Sequence, residues 1–536
     1  LEEYYQERLA LYPIDATFAG EEKFNHLFPN TLSDEYLLKN KAFFEKYKEA
    51  MAQFETDNLS KTDKLSKSIL EWECTIALEG FEYHEELMPI NQFQSVPLMV
   101  GQLASGSSAQ PFKTVKDYDN WLQRLNGFNE WVISAESRMK EGVEKGYVLP
   151  KALTVRVILQ IKDLANSDLK NNLFYSPLKQ FPSDFSEEEK KKITAEYSKV
   201  ISEKLIPSLN SLYNYINTDY LAASRATTGI SGVTNGEKYY NYLVKKYTTT
   251  DLTPDQIHQI GLKEVARILA EMEKVKLKVG FTGDIKAFFN HVRDRKELMP
   301  YTKPQQVIDN FNSIYDKMKP NLEKLFDVKP KTGFEVKRTE AFREASASAE
   351  YNQGSVDGTR PGVFYVPIPD VTKYNIYADE DLFLHEAIPG HHYQISLQQE
   401  DTTLPSFRKI IWFNAYGEGW ALYTESLGTE LGLYQDPYQY FGMLSAEMLR
   451  AVRLVVDTGM HTKGWTREKA IQYSIDNEAE PLQSIVAEIE RYMAIPGQAV
   501  SYKIGQLKIR ALRSKAEKEM GKKFDIKEFH NQVLES

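Results

Sequence analysis

His385, Glu386, His391 and His392 lie in one stretch, Asp381-Leu-Phe-Leu-His-Glu-Ala-Ile-Pro-Gly-His-His-Tyr-Gln-Ile395, which holds three of the nine histidines in 536 residues. Two imidazoles with a glutamate between them are what a helix offers a zinc ion when it also supplies a general base beside the open coordination position. The spacing departs from His-Glu-x-x-His, whose imidazoles share a helix face at i and i+4. Here position i+4 from His385 is Pro389. On an unbroken helix His391, at i+6, points round the axis, and His392, at i+7, lies roughly 10.5 Å farther along. Neither shares an ion with His385 unless the Pro389-Gly390 pair distorts the chain, which proline and glycine both permit. If Ile388 and Pro389 are taken up as a bulge, His391 falls where the second ligand belongs, and His392 is its competitor.

A two-histidine zinc site needs a third protein ligand. Glu418, in Asn414-Ala-Tyr-Gly-Glu-Gly-Trp-Ala-Leu-Tyr-Thr-Glu425, is 27 residues beyond His391 and sits between glycines, where another backbone can approach. Glu425, one face-repeat later, is placed to orient a ligand imidazole rather than to bind metal. Arg453, Asp457 and His461 recur at i+4 steps, so Asp457 is expected to orient His461 toward a substrate oxyanion. Tyr492 and Tyr502 offer phenols for the same task. Gly362-Val-Phe-Tyr-Val366 reads as a strand whose free edge, through Gly362, Val363 and Phe364, would pair with an extended peptide. Arg360 is a candidate carboxylate anchor.

These residues need a large scaffold, and 61.7 kDa supplies one. A net charge of -10 argues against nucleic acid or an anionic membrane as partner. The lone cysteine, Cys74, excludes an intrachain disulfide, and no apolar run approaches the length of a membrane span. Helical periodicity dominates. It is clearest after Ser33 (Tyr36, Leu37, Phe43, Phe44, Tyr47, Met51, Phe54) and after the capping boxes Ser186…Glu189 and Thr253…Gln256. The Gly/Ser/Gln-rich segment from Pro97 to Pro111 reads as a loop, and Phe334-Glu-Val-Lys-Arg-Thr339 as a second strand. The expected fold is mainly α: one large helical body with a cleft and a small sheet beside the metal helix, or two lobes dividing near residue 330. The chain starts at Leu1 inside an amphipathic pattern, so an export or lipid-attachment segment is expected to have been removed.

Together, His385-Glu-Ala-Ile-Pro-Gly-His-His-Tyr-Gln394, Gly417-Glu-Gly-Trp-Ala-Leu-Tyr-Thr-Glu425, Val456-Asp-Thr-Gly-Met-His-Thr-Lys-Gly-Trp465 and Pro496-Gly-Gln-Ala-Val-Ser-Tyr502 resemble the bacterial family known as domain of unknown function 885. Pro13-Ile-Asp-Ala-Thr-Phe-Ala-Gly20 and Asp357-Gly-Thr-Arg-Pro-Gly362 are similar to its pattern as well. The resemblance implies a helical, cleft-shaped relative of zinc peptidases with a glutamate third ligand, of the neurolysin and angiotensin-converting-enzyme type, and a cell-envelope or periplasmic, lipid-anchored location. The expected activity is zinc-dependent hydrolysis of short peptides. A metal-free binding protein on the same fold and a zinc amidohydrolase acting on a non-peptide amide are the competing readings.

Overall fold

A computed structural model describes residues 1–106, 108–340, 344, 347–354 and 360–535. Asp357, Gly358 and Thr359 of the family-like segment lie outside the described residues. The fold is mainly α, with one three-stranded sheet among the described residues. The chain forms two compact units. The first comprises Leu1–Tyr242, Pro405–Ile410 and Met493–Ile495; the second comprises Leu243–Leu404, Ile411–Tyr492 and Pro496–Ser536.

The first unit is built on the 31-residue helix Val115–Lys145, started by a capping box in which Thr114 and Asp117 satisfy each other's backbone N–H. Its buried face, with Trp121, Leu125, Phe128, Trp131 and Met139, forms the core with Tyr197, Leu209 and Tyr220. Arg124 is buried in this face and donates to the carbonyls of Pro13, Phe24 and Leu27, to the Thr17 hydroxyl and to Gln110. The Pro13–Gly20 segment therefore carries acceptors for a buried guanidinium. Neutral acceptors offset burial only in part, and burial lowers Arg124 to about 10. Helix Asp34–Ala52 buries Tyr36, Phe43, Phe44, Tyr47 and Met51, but Phe54 falls beyond its end and is exposed. The expected loop after Pro97 begins instead as helix Val96–Ala104, because Val96, Leu98, Met99, Val100 and Leu103 outweigh the polar residues behind them and proline is tolerated in a first turn. Cys74 is buried, and desolvation pushes its thiol up to about 12, out of nucleophile range.

The second unit holds the long helices Pro254–Lys278, Pro304–Leu325, Pro437–Thr462 and Ser501–Met520. Its core packs Phe311, Ile314 and Met318 against Phe364, Phe383, Leu384 and Trp420. Its sheet has the order β1 (Phe334–Arg338), β3 (Gly362–Val366), β2 (Glu350–Asn352), with β1 parallel and β2 antiparallel to β3. Both strands read from the sequence are present, but β3 is the central one. At Val363 and Phe364 both hydrogen-bonding edges are occupied, by β1 and β2, so these residues cannot pair with a peptide as expected; Gly362 pairs with Phe334 of β1. Sequence patterning does not reveal β2, whose three residues are too short for an alternation to register. No helix among the described residues is long and apolar enough to cross a membrane.

Candidate metal centre

Three short helices of the second unit carry the centre: Asp379–Glu386, His391–Glu400 and Asn414–Glu425. The expected bulge is a complete break. The first helix stops at Glu386, Ala387 (φ -107°, ψ -104°) and Gly390 (φ -75°, ψ -131°) leave helical geometry, and a new helix starts at His391. Trp420 donates its indole N–H to the Pro389 carbonyl at 2.8 Å and fixes the linker. The chain then folds back so tightly that a Cβ on Gly390 would sit 1.9 Å from the His385 carbonyl oxygen and 2.2 Å from that of Leu384. Gly390→Ala is therefore expected to destabilise the fold by about 1–3 kcal/mol and to displace His391, read as a lowered melting temperature together with lost metal binding.

The break brings His385 and His391 together, their rings perpendicular with centroids 4.8 Å apart. Glu418 Oε2 lies 3.8 Å from His385 Nε2 and 3.5 Å from His391 Nε2, and ligand atoms of the three residues all fall within 4.8 Å of one another. Ligands held about 2.0–2.2 Å from one tetrahedral ion lie roughly 3.3–3.5 Å apart, so this donor set fits zinc with a small contraction. Glu418 is positioned by its flanking glycines. The backbone of helix Ser501–Met520 crosses at Gly419, where a Cβ would meet Gly505 at 2.6 Å, and the Trp412 ring covers Gly417.

His385 Nδ1 is 2.7 Å from Glu425 Oε1, which leaves Nε2 facing Glu418. Glu425 is buried, and Asp381, one turn before His385 on the same helix, faces it. Burial, then the Glu425 charge, push Asp381 well above the carboxylate range, and burial pushes Glu425 up as well. Tyr434 donates to Asp381 and to the Glu425 carbonyl and closes this layer. Asp381 and Tyr434 were not singled out from the sequence, although the i, i+4 relation of Asp381 to His385 was there to be read. Glu425→Gln, which weakens the acceptor for the imidazole N–H, is expected to reduce zinc affinity roughly 10–100-fold in a chelator competition titration.

The electrostatics match a cation site. Burial lowers His385 well below its usual range, keeping it neutral and able to ligate. Burial also pushes Glu418 up, but the hydrogen bond and charge of His391, with His385 and Arg453, outweigh it and hold Glu418 at about 2. Glu386 is 9% exposed, and desolvation, with the Glu418 charge adding to it, raises the carboxyl to about 7 against the opposing effect of His391. The Tyr351 backbone donates a hydrogen bond to Glu386, so the strand beside the centre is β2.

His392 is turned away: its Nδ1 is 3.0 Å from the Tyr351 hydroxyl and 3.3 Å from Ser396 Oγ, and burial lowers it to about 4. Gly362 makes room for this pair, since a Cβ there would meet Tyr351 Oη at 2.3 Å and His392 Nδ1 at 2.8 Å. His461 is fully buried with Nε2 bonded to the Tyr492 carbonyl at 3.1 Å, and its separation from Asp457 is 4.0 Å. Asp457 accepts from the Gly497 N–H. Tyr492 donates to Glu488 at 2.6 Å and accepts from Arg453, while the Tyr502 ring lies under the Arg453 guanidinium. Arg360 is exposed and donates to the Gln353 carbonyl.

Among the solved structures similar to this chain are two matched over nearly their full length. A protein of Colwellia psychrerythraea, described as a "putative lipoprotein", superposes with a TM-score of 0.89 at 27% identity, covering 99% of this chain and 94% of that one. A protein of Shewanella oneidensis, described as a "putative lipoprotein of unknown function", has the same fold, with a TM-score of 0.78 at 19% identity over 99% of this chain and 95% of that one. No curated protein matches the chain. Residues 13–536 match one family over nearly the whole sequence, and the chain belongs to it: the bacterial proteins of unknown function grouped as DUF885.

Proposed function

We propose that the chain is a zinc-dependent peptidase acting on short peptides. The observation that carries this reading is the convergence of His385 Nε2, His391 Nε2 and Glu418 Oε2, with the buried carboxyl of Glu386 adjoining them in sequence and space. His385, His391 and Glu418 would hold the ion. Zinc in such a site supplies Lewis acidity, polarising a scissile carbonyl and lowering the pKa of water toward about 7. Glu386 takes the proton of the attacking water and returns it to the leaving amine, a task suited to a carboxyl whose burial places it near neutral pH. Glu425 holds the Nδ1 proton of His385 and so keeps its Nε2 lone pair directed at the ion. The Tyr351 backbone holds the Glu386 carboxyl in place.

The proposal extends to the location. The description of both structural neighbours as a "putative lipoprotein" supports an envelope protein, and fractionation of the native producer would place it. The deciding experiment for the activity is elemental analysis of purified protein coupled to a mass-spectrometric cleavage screen over a peptide library. One zinc per chain, with cleavage abolished by chelation and restored by zinc, is expected. Protein that takes up no zinc and cleaves no peptide overturns the reading, and cleavage of acylated amines in place of peptides would make it an amidohydrolase.

A further inference from the structure

Of the six tryptophans, three are buried, two are half-buried, and Trp412 alone is 43% exposed. A single exposed apolar side chain needs no explanation by itself, but the position of this one does. Its ring centroid is 6.0 Å from that of His391, with the planes inclined at 52°. The six-membered part of the indole rests on Gly417, the residue before Glu418: a Cβ there would come within 2.1–2.6 Å of Cη2, Cζ2 and Cζ3. The ring thus lies against one of the three metal-facing residues and against the backbone that carries another. The chain on either side of it is anchored as well. Gln398 of helix His391–Glu400 donates to the Ile411 carbonyl at 3.4 Å, and the Phe413 carbonyl accepts from Tyr416 and Gly417 at the start of helix Asn414–Glu425.

The centre is wet on the same side. Side-chain exposure is 1% at Glu425 and 6% at His385, but 12% at His391 and 15% at Glu418. A molecule approaching an ion held by these residues therefore comes in past His391 and Glu418, where the indole stands. Gly417 is what admits the ring to this place, since any side chain there would push it off. A pinned indole offers a broad apolar surface with few torsions left to freeze, the property that makes aromatic side chains effective binding walls.

We propose that Trp412 is the wall of a subsite beside the metal centre that takes an apolar or aromatic side chain of the substrate, borne on a residue adjoining the cleaved bond. The inference rests on the peptidase reading and narrows its substrates to peptides with such a residue at that place. With an ion about 2 Å from His391 Nε2, the indole lies within reach of a side chain on a residue next to the carbonyl under attack, since one extended residue spans about 3.3–3.6 Å. A lysine side chain is the other group that an indole face attracts, and the test separates it.

The test is calorimetric binding to the zinc-loaded Glu386→Gln protein, which removes turnover from the readout. The probes are the tetrapeptides Ala-Phe-Phe-Ala, Ala-Gly-Gly-Ala and Ala-Lys-Lys-Ala, whose central residues adjoin every bond of the chain. The phenylalanine peptide should bind roughly tenfold more tightly than the glycine peptide, the effect of burying one apolar side chain in part. In Trp412→Ala that advantage should vanish, and Trp412→Phe, with a smaller ring, should keep part of it. Each ratio compares two peptides on one protein of measured zinc content, so an indole that only shields the centre leaves the ratio unmoved. Acrylamide quenching is the second readout, and it decides the matter if Trp412→Ala does not fold. The fluorescence component that Trp412→Phe lacks should be quenched in the free protein and protected by the phenylalanine peptide but not by the glycine peptide. Equal binding of all three peptides, tightest binding of the lysine peptide, binding of none, or an advantage that survives in Trp412→Ala overturns the proposal. If the phenylalanine peptide is preferred through Trp412 yet the wild-type protein cleaves nothing, the peptidase reading fails and the apolar subsite stands. If the wild-type protein cleaves phenylalanine and glycine peptides at equal kcat/KM, the apolar subsite fails and the peptidase reading stands.

Discussion

Glu386→Gln is expected to keep its zinc and lose turnover by a factor of roughly 10²–10⁴, the usual contribution of a positioned acid–base group. Glutamine has the size of glutamate and still accepts from the Tyr351 backbone, and the three metal-facing residues are untouched by the change. What disappears is the capacity to take a proton, a loss of about 3–5.5 kcal/mol in transition-state stabilisation. The same carboxyl sets the acid limb of the wild-type pH profile. Burial raises Glu386 to about 7, and a base works only when deprotonated, so kcat/KM should rise with pH through that group. A bound divalent cation favours the carboxylate, which moves the midpoint of the loaded enzyme below about 7. The check is kcat/KM and zinc content, measured side by side on the best peptide from the cleavage screen. A fully active Glu386→Gln enzyme removes the glutamate from the chemistry, and a variant that loses its zinc makes Glu386 part of the metal cage.

The long helices are legible because their ends are written in local chemistry. Ser186…Glu189 and Thr253-Pro254…Gln256 cap the helices that follow them, and Gly280 comes just after the end of Pro254–Lys278 in a left-handed conformation. The glycines around Glu418 point correctly to a close backbone approach, supplied by Gly505. What is not legible depends on partners distant in the chain. The Pro389-Gly390 pair announces a distortion, but only the packing of Gly390 on the carbonyls of Leu384 and His385 shows that two helices result rather than one bulged helix. Strand order is likewise invisible: β3 has the apolar run of a buried strand, and nothing local says that its neighbours occupy both edges. Each of these features is a relation between residues, and periodicity within one segment does not carry it.

His391→Ala and His392→Ala are expected to separate completely in a zinc titration, although the two residues are adjacent. At His391 the substitution removes one of three protein ligands, and the loss in affinity should exceed the roughly 10–100-fold expected for an outer partner such as Glu425. It also removes the imidazole whose hydrogen bond and charge oppose burial in holding Glu418 at about 2, so the Glu418 carboxyl becomes easier to protonate and a poorer ligand in turn. At His392 the imidazole faces the other way, into Tyr351 and Ser396. Its loss takes one partner from the half-buried Tyr351 hydroxyl, which keeps Ser396 and the Gly354 backbone, and empties a buried site, at a cost of about 1 kcal/mol or more in stability. The three converging atoms stay in place, so zinc affinity should hold even as the melting temperature falls. The geometry therefore dictates an order of zinc affinities: His391→Ala weakest, Glu425→Gln intermediate, His392→Ala nearest the wild type. A His392→Ala protein without zinc, beside a His391→Ala protein that keeps it, would mean that the chain reverses its second helix on loading and that the assigned ligand set is wrong.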